Sequence, residues 1–201
     1  MRIIIFGDSI AWGACDDEAG GWVTRLRNKY AAEDISFYNC GISADSTDEL
    51  LARFKTEATA RSGGRKVAIL FAIGINDSQY SGAPSNTRVK PDTFISNLES
   101  LVSQAKEFTD SIFFIGLNQV EDEKLTPIPW SNKEINYSSE NVHQYDGLIK
   151  EVAEKHGVPF LSIWNLLVAA DLEDGLHPNS VGHEKLAEAV EKLLKAEGVI
   201  V

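Results

Sequence analysis

Ile3-Ile4-Ile5-Phe6-Gly7-Asp8-Ser9 stands at the head of the chain. Four large apolar residues in succession, three of them β-branched, show no inside–outside alternation. Such a run predicts a strand buried on both faces, as in a parallel sheet covered by two helical layers. The run breaks at a glycine and delivers a carboxylate and a hydroxyl at the strand's carboxyl end, which is where open α/β sheets hold their ligands. A complementary segment, Asp174-Gly175-Leu176-His177-Pro178, lies near the other end of the chain. Its carboxylate and imidazole, three positions apart, would supply an orienter and a base for the Ser9 hydroxyl.

Outward from that strand, short β-branched and aromatic runs alternate with longer stretches of helical periodicity, the pattern of βαβ units. Five strands are predicted, at Arg2 to Phe6, Ile35 to Asn39, Lys66 to Ile73, Ser111 to Gly116 and Pro159 to Leu161. Helices are predicted at Gly21 to Ala32, Thr47 to Thr59, Pro91 to Phe108, Ser139 to His156 and Asn179 to Ala196. Ser46 or Thr47, Pro91 and Asn179 carry the residue preferences of helix starts. Right-handed crossovers then make a three-layer α/β/α sandwich around a central parallel sheet. Two stretches break the rhythm, Ser78 to Lys90 and Asn118 to Tyr137, and both should be loops over the carboxyl edge of the sheet.

With 201 residues, 43% hydrophobic and 24% charged, the chain is expected to be one globular domain spanning 1–201. Thirty acidic against 19 basic residues leave a formal charge of −11, which repels phosphate backbones, so nucleic acid is not an expected partner. Met1-Arg2 runs directly into the first strand without the pattern of a signal peptide, and a cytoplasmic location is expected. No apolar run reaches the roughly 18 residues of a membrane span. Cys15 and Cys40 lack zinc-finger spacing and are expected to be reduced thiols. No cofactor and no metal is expected.

The strand ends collect Gly7-Asp8-Ser9, Asn39-Cys40-Gly41 and Gly74-Ile75-Asn76-Asp77 on one rim, and the Asp174 to His177 segment follows the fifth strand. For acyl transfer Ser9 would attack, His177 would move the proton and Asp174 would orient the imidazole. The oxyanion donors would be the backbone N–H groups of Ser9 and Gly41 and the Asn76 amide. A glycine at 41 would let a substrate carbonyl approach the backbone closely. Asp8 and Asp77 are expected to brace their loops. Trp12 would floor an acyl pocket or sit in the core, and Trp130 would wall a substrate pocket or pin its loop. His143, His156 and His183 lie in helical segments and are expected to be solvated or packing residues. A phosphate or flavin loop is disfavoured because Asp8 puts a negative charge where phosphate would sit.

Four blocks in order, Gly7-Asp8-Ser9, Gly41, Gly74-x-Asn76-Asp77 and Asp174-x-x-His177, resemble the SGNH subgroup of the GDSL esterases and lipases over nearly the whole chain. Ile10 departs from the leucine of the family's name-giving tetrapeptide. The resemblance implies a flavodoxin-like fold and a metal-free serine hydrolase acting on small or acyl esters or thioesters. The rival from another class is a catalytically silent ligand-binding protein on the same scaffold, since a fold does not fix a function.

Overall fold

The computed structural model describes residues 1–131 and 134–201. Strands β1 (Arg2–Gly7), β2 (Ser36–Gly41), β3 (Val67–Ala72), β4 (Ile112–Ile115) and β5 (Phe160–Leu161) form one sheet. Their order is β2-β1-β3-β4-β5, and every pairing is parallel. This is the flavodoxin-like doubly wound order, in which the direction of winding reverses between β1 and β3. β1 therefore has a neighbour on each side, and its apolar run is covered above and below.

Side-chain alternation along β1 distributes the core. Ile4 and Phe6 face one layer, made by α3 (Thr47–Ser62), α4 (Pro91–Ala105) and α5 (Ser139–His156). Ile3 and Ile5 face the other, made by α2 (Trp22–Lys29) and α6 (Ser180–Ala196). β3 repeats the pattern, with Ile69 and Phe71 on the first side and Ala68 and Leu70 on the second. Continuous apolar strands are thus required by two helical layers, as expected of a buried parallel sheet. Among the described residues no helix is long and apolar enough to cross a membrane.

Helix starts follow their chemistry. At α3 the Ser46 side chain and Glu49 form a reciprocal capping box, Pro91 opens α4, Ser138 caps α5 and Asn179 caps α6. Two helices are shorter than the periodicity predicts: α2 stops at Lys29 instead of Ala32, and α4 at Ala105 instead of Phe108. In both places the next N–H groups turn back to nearer carbonyls, as in Ala31 to Asn28 and Phe108 to Ala105, which tightens the last turn out of helical geometry. A further single-turn helix, α1 (Ser9–Trp12), follows β1 directly and is too short to carry a periodic signal.

The two loops at the carboxyl edge are joined. Tyr80 and Asn136 exchange both backbone hydrogen bonds at 2.9 Å, and the Ser81 hydroxyl donates to the Glu134 carbonyl at 2.8 Å. The Asn141 amide on α5 pins the first loop through the Pro84 and Ser78 carbonyls. The predicted 118–137 loop includes 132 and 133, which lie outside the described residues.

The fully buried Phe54 packs on Phe6 and Phe71 with ring centroids 4.8 and 5.5 Å away and anchors α3 to the sheet. Phe54→Ala is expected to lower the unfolding free energy by about 3–5 kcal/mol through the cavity it leaves, with an unchanged denaturant slope in urea unfolding.

Candidate active site

Ser9 is the first residue of α1, two positions beyond the end of β1. Asp8 caps this turn, its Oδ1 accepting the Ile10 N–H at 2.9 Å. At the far end of the chain, a 3-10 turn at Ala169–Asp171 precedes a loop closed by a Leu172–Pro178 bridge. That loop fixes its own acid: Asp174 Oδ1 accepts the backbone N–H groups of Leu176 and His177 at 2.9 and 2.8 Å. Asp174 Oδ2 is then free to accept from His177 Nδ1 at 2.7 Å, and His177 Nε2 lies 3.0 Å from Ser9 Oγ. The network assigns the tautomer, with Nδ1 protonated and Nε2 accepting from the serine hydroxyl.

The expected oxyanion residues separate into two groups. Asn76 lines the cleft beside Ser9, and its amide orientation is set on three sides. Asn76 Nδ2 donates to the Asp45 carbonyl at 2.9 Å, while Asn76 Oδ1 accepts from the Tyr137 hydroxyl at 2.6 Å and from Gln79 Nε2 at 3.3 Å. One Nδ2 hydrogen remains for the cleft. Gly41 is placed differently: its N–H donates to Asn39 Oδ1 at 2.9 Å, and Gly41 is not among the cleft-lining residues. A Cβ at 41 would lie 2.4 Å from the Trp12 nitrogen, so a glycine there is needed for the close approach of α1 to β2.

The residue overlooked in the sequence is Ala44. It adopts φ 67°, in the left-handed region, and lines the cleft together with Ser43, Ser9 and Asn76. Among the described residues the Ser43 and Ala44 N–H groups donate to no protein acceptor, while the Ala44 carbonyl is held by Arg88 Nη1 at 2.8 Å. Successive N–H groups at a left-handed residue form a concavity suited to an anionic oxygen. An alanine carries no sequence sign of positive φ, so nothing at position 44 pointed to it.

The cleft has a volume of about 820 Å³. Gln79, Ser81, Asn86 and Thr87 give its lining hydroxyl and amide side chains, and Ile128, Trp130, Ile135 and Tyr137 give it apolar and aromatic ones. Trp130 is half exposed and inclined over the His177 ring, centroids 5.9 Å apart. Trp12, by contrast, is 58% exposed at the end of α1 and neither floors the cleft nor enters the core. His183 is a packing residue: fully buried, it accepts the Trp22 N–H through Nδ1 and donates from Nε2 to the Ala14 carbonyl at 2.8 Å. The fold also brings Cys15 beside Asp174. Burial, and then the charges of Asp174, Glu173 and Asp17, push the Cys15 thiol above its ordinary range.

Two carboxyls under the rim are displaced. Burial pushes Asp8 up to about 7, against the Ile10 N–H and the nearby His177, and pushes Asp77 up to about 7 despite its bonds from the Thr47 N–H and hydroxyl. Asp77 ties the end of β3 to the start of α3 through those bonds. Asp174 lies below the usual range: burial would raise it, but bonds from the His177 ring and the backbone N–H groups of His177 and Leu176 prevail. Asp16 is likewise held low, the Arg25 guanidinium and Ser180 outweighing the effect of burial. In the unfolded chain an aspartate titrates near 4, so from roughly pH 4 to 7 the folded form binds extra protons at Asp8 and Asp77, and raising the pH across that window lowers stability. Asp16 and Asp174 act oppositely, their contribution being lost as pH falls below about 4. Urea unfolding across a pH series should show maximal stability near pH 4 and a decline toward pH 7, and Asp77→Asn should flatten the decline.

Residues 5–185 match the GDSL-like lipase/acylhydrolase family. No curated protein sequence matches the chain. Among solved structures, a lipase/acylhydrolase from Enterococcus faecalis is 22% identical, with 98% of this chain and 96% of that one covered and a TM-score of 0.77. An α/β hydrolase, LAE5, from the metagenome of Lake Arreo in Spain is 22% identical over 98% of this chain and 94% of that one, with a TM-score of 0.72. The acetylxylan esterase Axe2 of Geobacillus stearothermophilus is 22% identical over 95% and 92% of the two chains, with a TM-score of 0.71. These likenesses carry the fold over nearly the whole chain. The match across 5–185 shows that the chain belongs to the GDSL-like lipase/acylhydrolase family and is an ester hydrolase.

Proposed function

We propose that the protein is a serine esterase that forms an acyl-enzyme on Ser9, with His177 as general base and acid and Asp174 as its orienter. The observation that carries this is the unbroken chain of contacts from Asp174 Oδ2 through His177 to Ser9 Oγ, 2.7 and 3.0 Å long, at the edge of the cleft. Ser9 Oγ attacks the ester carbonyl carbon as its proton passes to Nε2, and the imidazolium is stabilised by Asp174. The oxyanion is received by the Ser9 N–H, the Asn76 amide and the Ala44 N–H. Collapse breaks the carbon–oxygen bond, and His177 returns the proton to the departing alcohol. Water then repeats the sequence against the acyl-enzyme, His177 taking its proton and handing it to Ser9 Oγ as the acid leaves.

The cleft supports a short acyl group on a polar, polyhydroxylated alcohol. Its hydroxyl and amide lining residues suit a sugar-like moiety, and the half-exposed Trp130 offers a ring face to it. The cavity behind Asp8, bounded by Ile75, Ile115 and Leu117, has only about 20 Å³, room for one water-sized group and not for a long acyl tail. Arg88 lines the cleft, but its guanidinium is engaged by the Ala44 carbonyl and Glu49, so among the described lining residues it is not a free cation for an anionic substrate. The relative Axe2, an acetylxylan esterase, is in keeping with this reading, and it is also known in catalytic mutant forms with a serine, an aspartate or a histidine replaced by alanine.

Turnover of aryl esters should fall from acetyl to octanoyl, and an acetylated oligosaccharide should be deacetylated. Ser9→Ala and His177→Ala should each lower kcat by roughly 10³ or more with unchanged circular dichroism. Asn76→Ala should cost about 10²-fold. Wild-type turnover in either Ser9→Ala or His177→Ala would remove that residue from the mechanism, and a preference for octanoyl would overturn the short-acyl assignment.

A further inference from the structure

Cys15 has no part in the relay, yet the fold brings its thiol to it. Ligand atoms of Cys15, Asp174 and His177, a sulfur, a carboxylate oxygen and an imidazole nitrogen, all lie within 4.8 Å of one another. No spacing in the sequence points to this cluster, because the loop after β1 and the loop after β5 meet only when the sheet is assembled. Cys15 is also held in place. It takes φ 66°, which a non-glycine residue adopts only under constraint. On one side the Ala14 carbonyl accepts from His183; on the other the Asp16 carboxylate binds the Arg25 guanidinium, the Ser180 hydroxyl and two backbone N–H groups.

The surroundings of this thiol are negative. Cys15 borders an open depression of about 460 Å³ that Asp17, Glu18 and Glu173 also line, and none of its lining residues is basic. A sulfur, a nitrogen and an oxygen donor together suit a borderline-soft divalent ion, with carboxylates beside them to attract it. Zinc bonds of about 2.0–2.3 Å would place the ligand atoms roughly 3.5 Å apart, within reach of side-chain rotations of about an ångström.

We propose that Cys15, Asp174 and His177 form a reversible zinc-binding site that switches the esterase off. Binding replaces the thiol proton, which leaves to solvent, by a sulfur–zinc bond, and water completes a tetrahedral shell. Zinc on Nε2 removes the lone pair that would take the Ser9 proton. Zinc on Nδ1 displaces that nitrogen's proton, which passes to Nε2 and turns it from an acceptor into a donor. Either way His177 cannot act as a base. The binding stands on the cluster alone, whereas the switching rests on the esterase reading above.

The test is equilibrium dialysis of the intact protein against Zn²⁺ alone, alongside ester turnover with and without the ion. One zinc per chain is expected, with affinity at least ten-fold weaker in both Cys15→Ser and Cys15→Ala. Wild-type turnover should be lost on zinc addition and restored by EDTA, while Mg²⁺ has no effect. Both cysteine variants should keep their basal turnover and resist zinc. Cd²⁺ should produce a thiolate charge-transfer absorption in the wild type and not in Cys15→Ser, a readout that stands even if no ester is turned over. No zinc uptake, or uptake unchanged by the cysteine substitutions, would overturn the site. Zinc bound through Cys15 without loss of turnover would overturn the switch.

Discussion

The contact between Ser9 Oγ and His177 Nε2, which joins residues 168 positions apart, is the constraint around which the rest of the molecule is arranged. A single hydrogen bond contributes only about 0.5–1.5 kcal/mol net, too little to assemble two loops. The loops are instead positioned independently. Ser9 is placed by a strand with neighbours on both sides and by the Asp8 cap. His177 is placed by its own loop, through the Glu173 N–H to the His177 carbonyl at 2.9 Å, the Asn179 N–H to the Asp171 carbonyl at 2.8 Å and the Asn118 amide to the Leu176 carbonyl at 3.1 Å. The relay is therefore preorganised, which is the condition for catalysis by positioned groups.

Preorganisation has a cost visible in the polar groups beneath the rim. Asp8, Asp77, Asn76 and Tyr137 are all buried, and each is held by side-chain or backbone partners near Ser9. Burial raises Asp8 and Asp77 and also pushes the Tyr137 hydroxyl up, so it stays a neutral donor to Asn76. Ala44 and Cys15, the two non-glycine residues with positive φ among the described residues, both flank this rim. Buried carboxyls and strained backbone concentrated in one place mark where stability is given up for geometry.

Much of this was legible in the sequence because it rests on local chemistry. The uninterrupted Ile3 to Phe6 run announced a two-sided buried strand, and Ser46, Pro91 and Asn179 marked helix starts that the structure places within a residue of those positions. The gathering of Ser9, Asn76, Asp174 and His177 at one rim was readable because each block ends or follows a strand. Gly41 shows the limit of such reading, because a glycine required by the packing of α1 against β2 looks the same in sequence as one required by a substrate. Ala44 was invisible because its backbone conformation is imposed by the turn between β2 and α3, not by its side chain. The pairing of the two rim loops through Tyr80 and Asn136, and the approach of Cys15 to Asp174, depend on contacts between distant segments that no local pattern encodes.

The central claim is that Ser9 is an activated nucleophile. Exposing the protein to a small fluorophosphonate and mapping the adduct by peptide mass tests this without knowledge of the natural ester. The account predicts one adduct per chain, on Ser9, absent from Ser9→Ala. An adduct on another residue, or none on the folded protein, would contradict it.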